Sequence, residues 1–171
     1  GVGLCSVLGA VAAGAREVVA VDLAPEKLAL AQDLGATAAF DARDPDVAER
    51  IRSATAGGVE FALELAGSIK ALELAWAITR RGGTTVTAGL PPPTAALPLP
   101  ATALVAEERT LKGSYIGTSV PLRDIPRYIE LYRRGRLPVD RLLSGRLRPE
   151  ELNLGFDRLR DGQAVRQVMV W

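Results

Sequence analysis

Gly1, Val2 and Gly3 stand ahead of a run of small and apolar residues, and an acid, Asp22, lies 19 residues after Gly3. Those types at that spacing suit the binding of a diphosphate nucleotide. A glycine turn lets the backbone approach a pyrophosphate, which then sits on amide groups at a helix N-terminus. An acid about 20 residues on, at the end of the next strand, accepts the ribose hydroxyls. Only the last part of the G-x-G-x-x-G fingerprint is present, because nothing precedes Gly1. The chain is therefore expected to begin inside its own phosphate loop. Asp22 can also be read as a capping acid ahead of the helix that starts at Pro25. A carboxylate at a ribose would repel a 2′-phosphate, so the ribose role favours NAD over NADP.

Other chemistries are limited by what the chain contains. It has 171 residues, 48% hydrophobic and 24% charged, an ordinary globular composition. A net charge of +1 argues against a nucleic-acid protein, which would carry a basic face. No run approaches the roughly 20 apolar residues of a membrane helix, and the first residues lack the basic segment of a signal peptide. The single cysteine, Cys5, cannot form an internal disulfide, and a reducing cytoplasm is expected. Its place near a helix N-terminus could lower a thiol pKa, yet a lone free cysteine is more often a packed small residue. There is no histidine, which removes the commonest general base and metal ligand. One cysteine without histidine cannot supply the three or four ligands of a zinc site.

The elements that must position these residues alternate. Leu4 to Gly14 reads as a buried helix stopped by glycine, and Val18 to Val21 as a strand apolar on both faces. Pro25-Glu26-Lys27 opens a helix that Gly35 ends, and Ala38 to Asp41 is a short strand. Asp44-Pro45 begins a helix carrying Val47, Ala48 and Ile51 that Gly57-Gly58 ends, before a strand from Val59 to Leu65. A helix with Leu72, Ala75 and Ile78 on one face is expected to close on Arg80-Arg81-Gly82-Gly83, ahead of a strand from Thr84 to Ala88. This rhythm implies an α/β fold with a doubly wound parallel sheet. Gly89 to Pro100, rich in proline, reads as an extended loop, and Thr110 to Ile116 as one further strand. A helix near 125–134, a strand near 142–147, a helix over 149–160 and a strand over 165–170 complete the series.

Taken in order, Gly1-Val2-Gly3, Val21-Asp22, Glu64-Leu65-Ala66-Gly67, Gly82-Gly83, Ala88-Gly89-Leu90-Pro91, Leu111-Lys112-Gly113-Ser114 and Val165-Arg166 resemble the zinc-type alcohol dehydrogenases of the medium-chain dehydrogenase/reductase superfamily. The resemblance covers the whole chain. It implies a Rossmann domain over residues 1–116, lacking its first, central strand, and a return segment of the catalytic domain over 117–171. The catalytic domain that precedes them in the family would be absent.

On that resemblance the cofactor is NAD. Gly1, Val2 and Gly3 would hold the pyrophosphate together with Arg166, and Asp22 and Lys27 the adenosine ribose. Leu65 and Ala66 would flank the adenine. Ala88, Gly89 and Leu90, with Ser114, Tyr115 and Ile116, would hold the nicotinamide carboxamide. Leu90 and Tyr115 would also wall a pocket for a small alcohol or aldehyde. Thr102 to Ile116 would pair subunits in a homodimer or homotetramer. The family's zinc ligands and proton relay lie upstream, so no catalytic or metal-binding residue is expected here, and the chain alone is expected to be inactive. Two alternatives stay open: a zinc-independent NADPH quinone or enoyl reductase of the same superfamily, and a non-catalytic NAD-binding module. Asp22 weighs against the first.

Overall fold

The computed structural model describes residues 1–171. Hydrophobic periodicity and glycine stops set its elements in the expected alternation. These are α1 (Val2–Ala12), β1 (Val19–Asp22), α2 (Pro25–Asp33), β2 (Ala38–Asp41), α3 (Val47–Ala54), β3 (Val59–Glu64), α4 (Ile69–Ile78) and β4 (Thr79–Thr87). Then follow α5 (Ala101–Ala106), β5 (Thr110–Gly113), α6 (Pro121–Arg133), β6 (Leu143–Leu147), α7 (Leu152–Arg160) and β7 (Arg166–Met169). No helix is long and apolar enough to cross a membrane.

The strands form separate parallel sheets, β1-β2, β3-β4-β5 and β6-β7. In the first, Val18 O accepts from Thr37 N–H and Asp22 O from Ala42 N–H, so β1 and β2 run the same way. β1 pairs only with β2, and β3 only with β4. The expected α/β class, with parallel strands alternating with helices, therefore holds.

The chain packs as two units. One comprises residues 1–20, 29–38 and 122–171. Leu4, Val7 and Leu8 recur along one face of α1 and bury against Val18, Ala31, Leu34, Ala36 and Leu142, with Cys5 packed beside them. Gly35 has φ +111, and a Cβ there would meet Val11 Cγ2 at 2.9 Å, so α2 can turn away from α1 only through glycine. Arg136 Nη2 donates to Ala12 O at 3.0 Å and satisfies a carbonyl at the end of α1.

The second unit comprises residues 21–28 and 39–121. Its β3-β4-β5 sheet is covered on one face by α4, which buries Leu72, Ala75, Trp76 and Ile78. α3 presents Val47 and the fully buried Ile51. The Thr79 hydroxyl donates to Ala75 O at 2.7 Å and lies 2.7 Å from the Thr85 hydroxyl. Both buried threonines are thereby satisfied without water.

Two expectations are corrected. Arg80–Gly83 does not close the helix before β4. α4 stops at Ile78, and the segment belongs to β4 as a bulge: Val59 faces Thr79 and Phe61 faces Thr84, leaving Glu60 opposite four residues. Gly82 has φ +69, and Gly83 has Thr79 Cγ2 and Glu60 O at 2.7 and 3.0 Å from where a Cβ would be; the glycines serve the bulge. The proline-rich stretch over residues 89–100 is a loop, as expected, and a short helix, α5, follows Pro100, which pre-sets the entry. Finally, β5 ends at Gly113 and not at Ile116. Ile116, Gly117 and Thr118 have φ +53, +63 and +55 and form a left-handed turn that cannot continue a strand.

Candidate cofactor site

The N-terminus of α1 carries no acidic residue in its first turn and no side-chain cap. Nothing lies within 4 Å of a Cβ built on Gly3, so that face of the first turn has no side chain against it. A Cβ on Gly1 would lie 3.4 Å from Val165 O and 3.9 Å from Arg166 Nη2. An exposed guanidinium with no carboxylate partner thus sits beside a helix N-terminus, itself equivalent to about half a positive charge. Two like-signed groups brought together make a place for an anion. Ser144 fixes the arginine's backbone: its hydroxyl accepts the Val165 and Arg166 N–H groups at 2.7 and 2.9 Å and donates to Arg166 O at 3.1 Å. No local sequence signal marks Ser144, because its partners lie more than 20 residues away.

The two acids that end β1 and β2 differ. Asp22 Oδ1 accepts Ala24 N–H at 3.0 Å, and its second oxygen has no protein partner. Asp41 is committed to Arg43, which donates Nε at 3.0 Å, Nη2 at 2.6 Å and its own N–H at 2.8 Å. Those bonds hold the Asp41 carboxyl down at about 2. Only Asp22 is left available to a ligand. Lys27 lies in the first turn of α2, with its N–H on Ala24 O and its ammonium in no ion pair.

Because Glu64 faces Thr87 and Thr87 faces Gly113, the three strands of the second unit end together. Leu65–Gly67, Ala88–Leu90 and Ser114–Ile116 all leave this carboxyl edge, where ligands bind in open α/β sheets. Ser114 N–H donates to Thr87 O at 2.9 Å and extends the ladder by one step. Ala66 is exposed and Leu65 half-buried; Leu90, Tyr115 and Ile116 are 80%, 76% and 70% exposed.

Under these turns lies Glu64, a residue of the family-like motif to which the sequence assigned no role. Glu64 is 3% exposed. Its Oε1 accepts the Ala66 and Gly67 N–H groups at 2.7 and 2.6 Å, and its Oε2 accepts the Thr87 hydroxyl at 2.9 Å. Gly67 has φ +71, and a Cβ on Gly89 would lie 2.5 Å from Gly67 Cα and 2.8 Å from Glu64 Oε2. Each glycine is required by the backbone crossing it. Strand parity was the available signal: Ala62 faces inward, so Glu64, two residues on, must face inward too.

Residues 1–134 match the model of the zinc-binding dehydrogenases. The chain belongs to that family. It is 36% identical over its whole length to the geraniol dehydrogenase of Castellaniella defragrans, and 37% identical over 99% of its length to the putative alcohol dehydrogenase D of Mycobacterium tuberculosis. It spans only 46% and 47% of those proteins, about half the length of the curated relatives it matches. Among solved structures it superposes on an alcohol dehydrogenase zinc-binding domain protein from Burkholderia ambifaria with a TM-score of 0.94 (33% identity). It does so equally on the benzyl alcohol dehydrogenase of Acinetobacter calcoaceticus, also at 0.94 (30% identity). Each superposition takes in 98% of this chain and 45% or 46% of the other.

The family's metal finds no ligand set among these residues. There is one cysteine and no histidine, and no three His, Cys, Asp or Glu side chains gather into a metal-holding group. Cys5 packs against the α1 core instead.

Proposed function

We propose that this chain holds NAD for a dehydrogenase that moves a hydride between that cofactor and an alcohol or aldehyde. The observation that carries the reading is the Arg166 guanidinium, in no salt bridge, beside the N-terminus of α1, which has no acid in its first turn, a pairing that suits a diphosphate. Gly1, Val2 and Gly3 would give backbone amides to it. Asp22, with one uncommitted oxygen, would accept the ribose hydroxyls, with Lys27 nearby in sequence, and would disfavour a 2′-phosphate. Leu65 and Ala66 would border the adenine. The backbone groups of Ala88–Leu90 and Ser114–Ile116 would hold the carboxamide, leaving Leu90 and Tyr115 to face substrate. NAD supplies the hydride acceptor when bound; the chain's own residues orient it and exclude water.

On this reading residues 1–116 are the cofactor domain and 117–171 part of a catalytic domain. A zinc ion would need ligands from outside this chain, and no step is assigned to one here. β5, an edge strand exposed at every residue, suits pairing with a second copy, as expected of a homodimer or homotetramer in the cytoplasm. Small alcohols are the substrate class, since the relatives named above are geraniol, benzyl alcohol and other alcohol dehydrogenases.

Calorimetry of the chain with NADH, NADPH and ADP-ribose tests the assignment. NADH should bind at least tenfold more tightly than NADPH. Arg166→Ala should weaken ADP-ribose roughly 10- to 100-fold, the range for a lost charge-assisted contact. Equal binding of NADH and NADPH, or no effect of Arg166→Ala, would sink it.

A further inference from the structure

Glu64 accepts hydrogen bonds through both carboxylate oxygens and through its main-chain carbonyl, and none of the roles assigned so far needs its side chain. Its carboxylate ties the β3–α4 turn to the end of β4 by side-chain bonds added to those of the backbone. Oε1 gathers the Ala66 and Gly67 amides, with Ser68 N–H at 3.4 Å, and so fixes the β3–α4 turn. Oε2 takes the Thr87 hydroxyl on the last residue of β4. The main-chain carbonyl of the same residue accepts the Ala88 and Gly89 N–H groups at 2.9 and 3.3 Å. One buried residue thus receives hydrogen bonds from both sides of the Gly67–Gly89 crossing. A carboxylate has lone pairs for all of these donors, whereas an apolar side chain would leave the partly buried amides without their protein acceptor.

We propose that Glu64 is a positioning residue: through Thr87 and the Ala66–Gly67 amides it sets the place of the Ala88–Leu90 backbone, and so governs the nicotinamide end of the cofactor site. The second half rests on the NAD assignment above; the coupling of the two turns does not. It predicts that breaking the link at β4 is felt at the β3–α4 turn, although the sheet hydrogen bonds remain.

Thr87→Val removes one hydroxyl and keeps the shape, and Glu64→Ala removes the carboxylate. Glu64→Gln keeps an acceptor for the amides and a donor that Thr87 Oγ can accept, so it should rescue. Amide hydrogen exchange of the whole chain gives the first readout. In Thr87→Val, exchange at Ala66, Gly67 and Ala88 should rise at least tenfold, with Ala75 and Trp76 in α4 unchanged. Glu64→Gln should stay within about threefold of wild type. NADH and ADP-ribose binding gives the second: Thr87→Val should weaken NADH about tenfold and leave ADP-ribose, which lacks the nicotinamide, within twofold. Unchanged protection at Ala66 and Gly67 in Thr87→Val overturns the proposal, as does a uniform rise across α4, the mark of plain destabilisation. Should Glu64→Ala fail to fold, Thr87→Val decides. The expected exchange pattern in a chain that binds neither nucleotide supports the coupling and refutes the NAD assignment instead.

Discussion

Replacing Gly89 by alanine tests how tightly the two turns cross. The added Cβ would lie 2.5 Å from Gly67 Cα, about 0.9 Å inside the 3.4 Å at which ordinary contact begins (3.4 against 2.5), and closer still to the Gly67 nitrogen. Neither neighbour is the tip of a flexible side chain. Both are backbone, and Gly67 is held in turn by Glu64 at 2.6 Å. Relief therefore requires moving the β3–α4 turn or breaking the carboxylate's bonds, and overpacking of that kind costs about 3 kcal/mol. With a urea m-value of roughly 1–3 kcal/mol per molar, the midpoint should fall by about 1–3 M. Trp76, 8% exposed in α4 of the same unit, reports the transition, while Trp171, 93% exposed, adds a nearly constant background. Gly9→Ala is the control: that exposed glycine lies inside α1 with nothing within 4 Å. It should gain roughly 0.5–1 kcal/mol from helix propensity. A Gly89→Ala midpoint within about 0.3 M of wild type would show that the crossing yields freely, and the reasoning about Gly67 and Gly89 would be wrong.

Further outcomes are expected elsewhere. Arg109, its side chain 8% exposed, donates to Trp76 O at 2.7 Å, lies 4.9 Å over the Trp76 ring and pairs with Glu107. Arg109→Ala should cost about 2–3 kcal/mol, below the full value for a buried pair because Glu107 is one-third exposed, and should shift Trp76 emission; an unchanged spectrum and midpoint would refute it. Asp41, held at about 2 by hydrogen bonds from the Arg43 side chain and then its backbone, lies below its ordinary 3.8. Its contribution to stability is thus complete above pH 3.8 and is lost as pH falls through about 2. Carbon NMR of the carboxyl should show the low titration, and Arg43→Ala should move it up toward 3.8; a midpoint near 3.8 in the wild type would refute the pairing.

Much of the fold could be read from the chain because its signals are local. Small residues with Gly14 beyond them mark α1, Pro25 and Glu26 open α2, and apolar runs between glycines give β1 to β3. The strand ends that bear Asp22, Ala66 and Ala88 followed from the same alternation. What escaped depends on contacts distant in sequence. Arg80-Arg81-Gly82-Gly83 has the composition of a helix stop, and only the register of its strand, Val59 on Thr79 and Phe61 on Thr84, reveals a bulge. Tyr115 and Ile116 have strand propensity, yet Ile116 adopts a left-handed conformation that no β-branched residue advertises. Arg166 was visible through resemblance, but Ser144, which pins its backbone, acts across the β6-β7 sheet. Glu64 was hidden because an acid at a strand end ordinarily suggests solvent.

The bulge in β4 also fixes alignment. Side chains on a strand alternate with a period of two, so a slip of one residue against β3 would turn the buried Thr85 outward. Slippage that brings Thr84 into the place of Gly83 is blocked outright, because only glycine fits between Thr79 Cγ2 and the carbonyls of Arg80 and Glu60. The two glycines act as an index mark, admitting one register. Mispaired forms of this sheet are thereby removed from the folding search, and a substitution at Gly83 should reveal itself less as a weaker native state than as a mixture of registers.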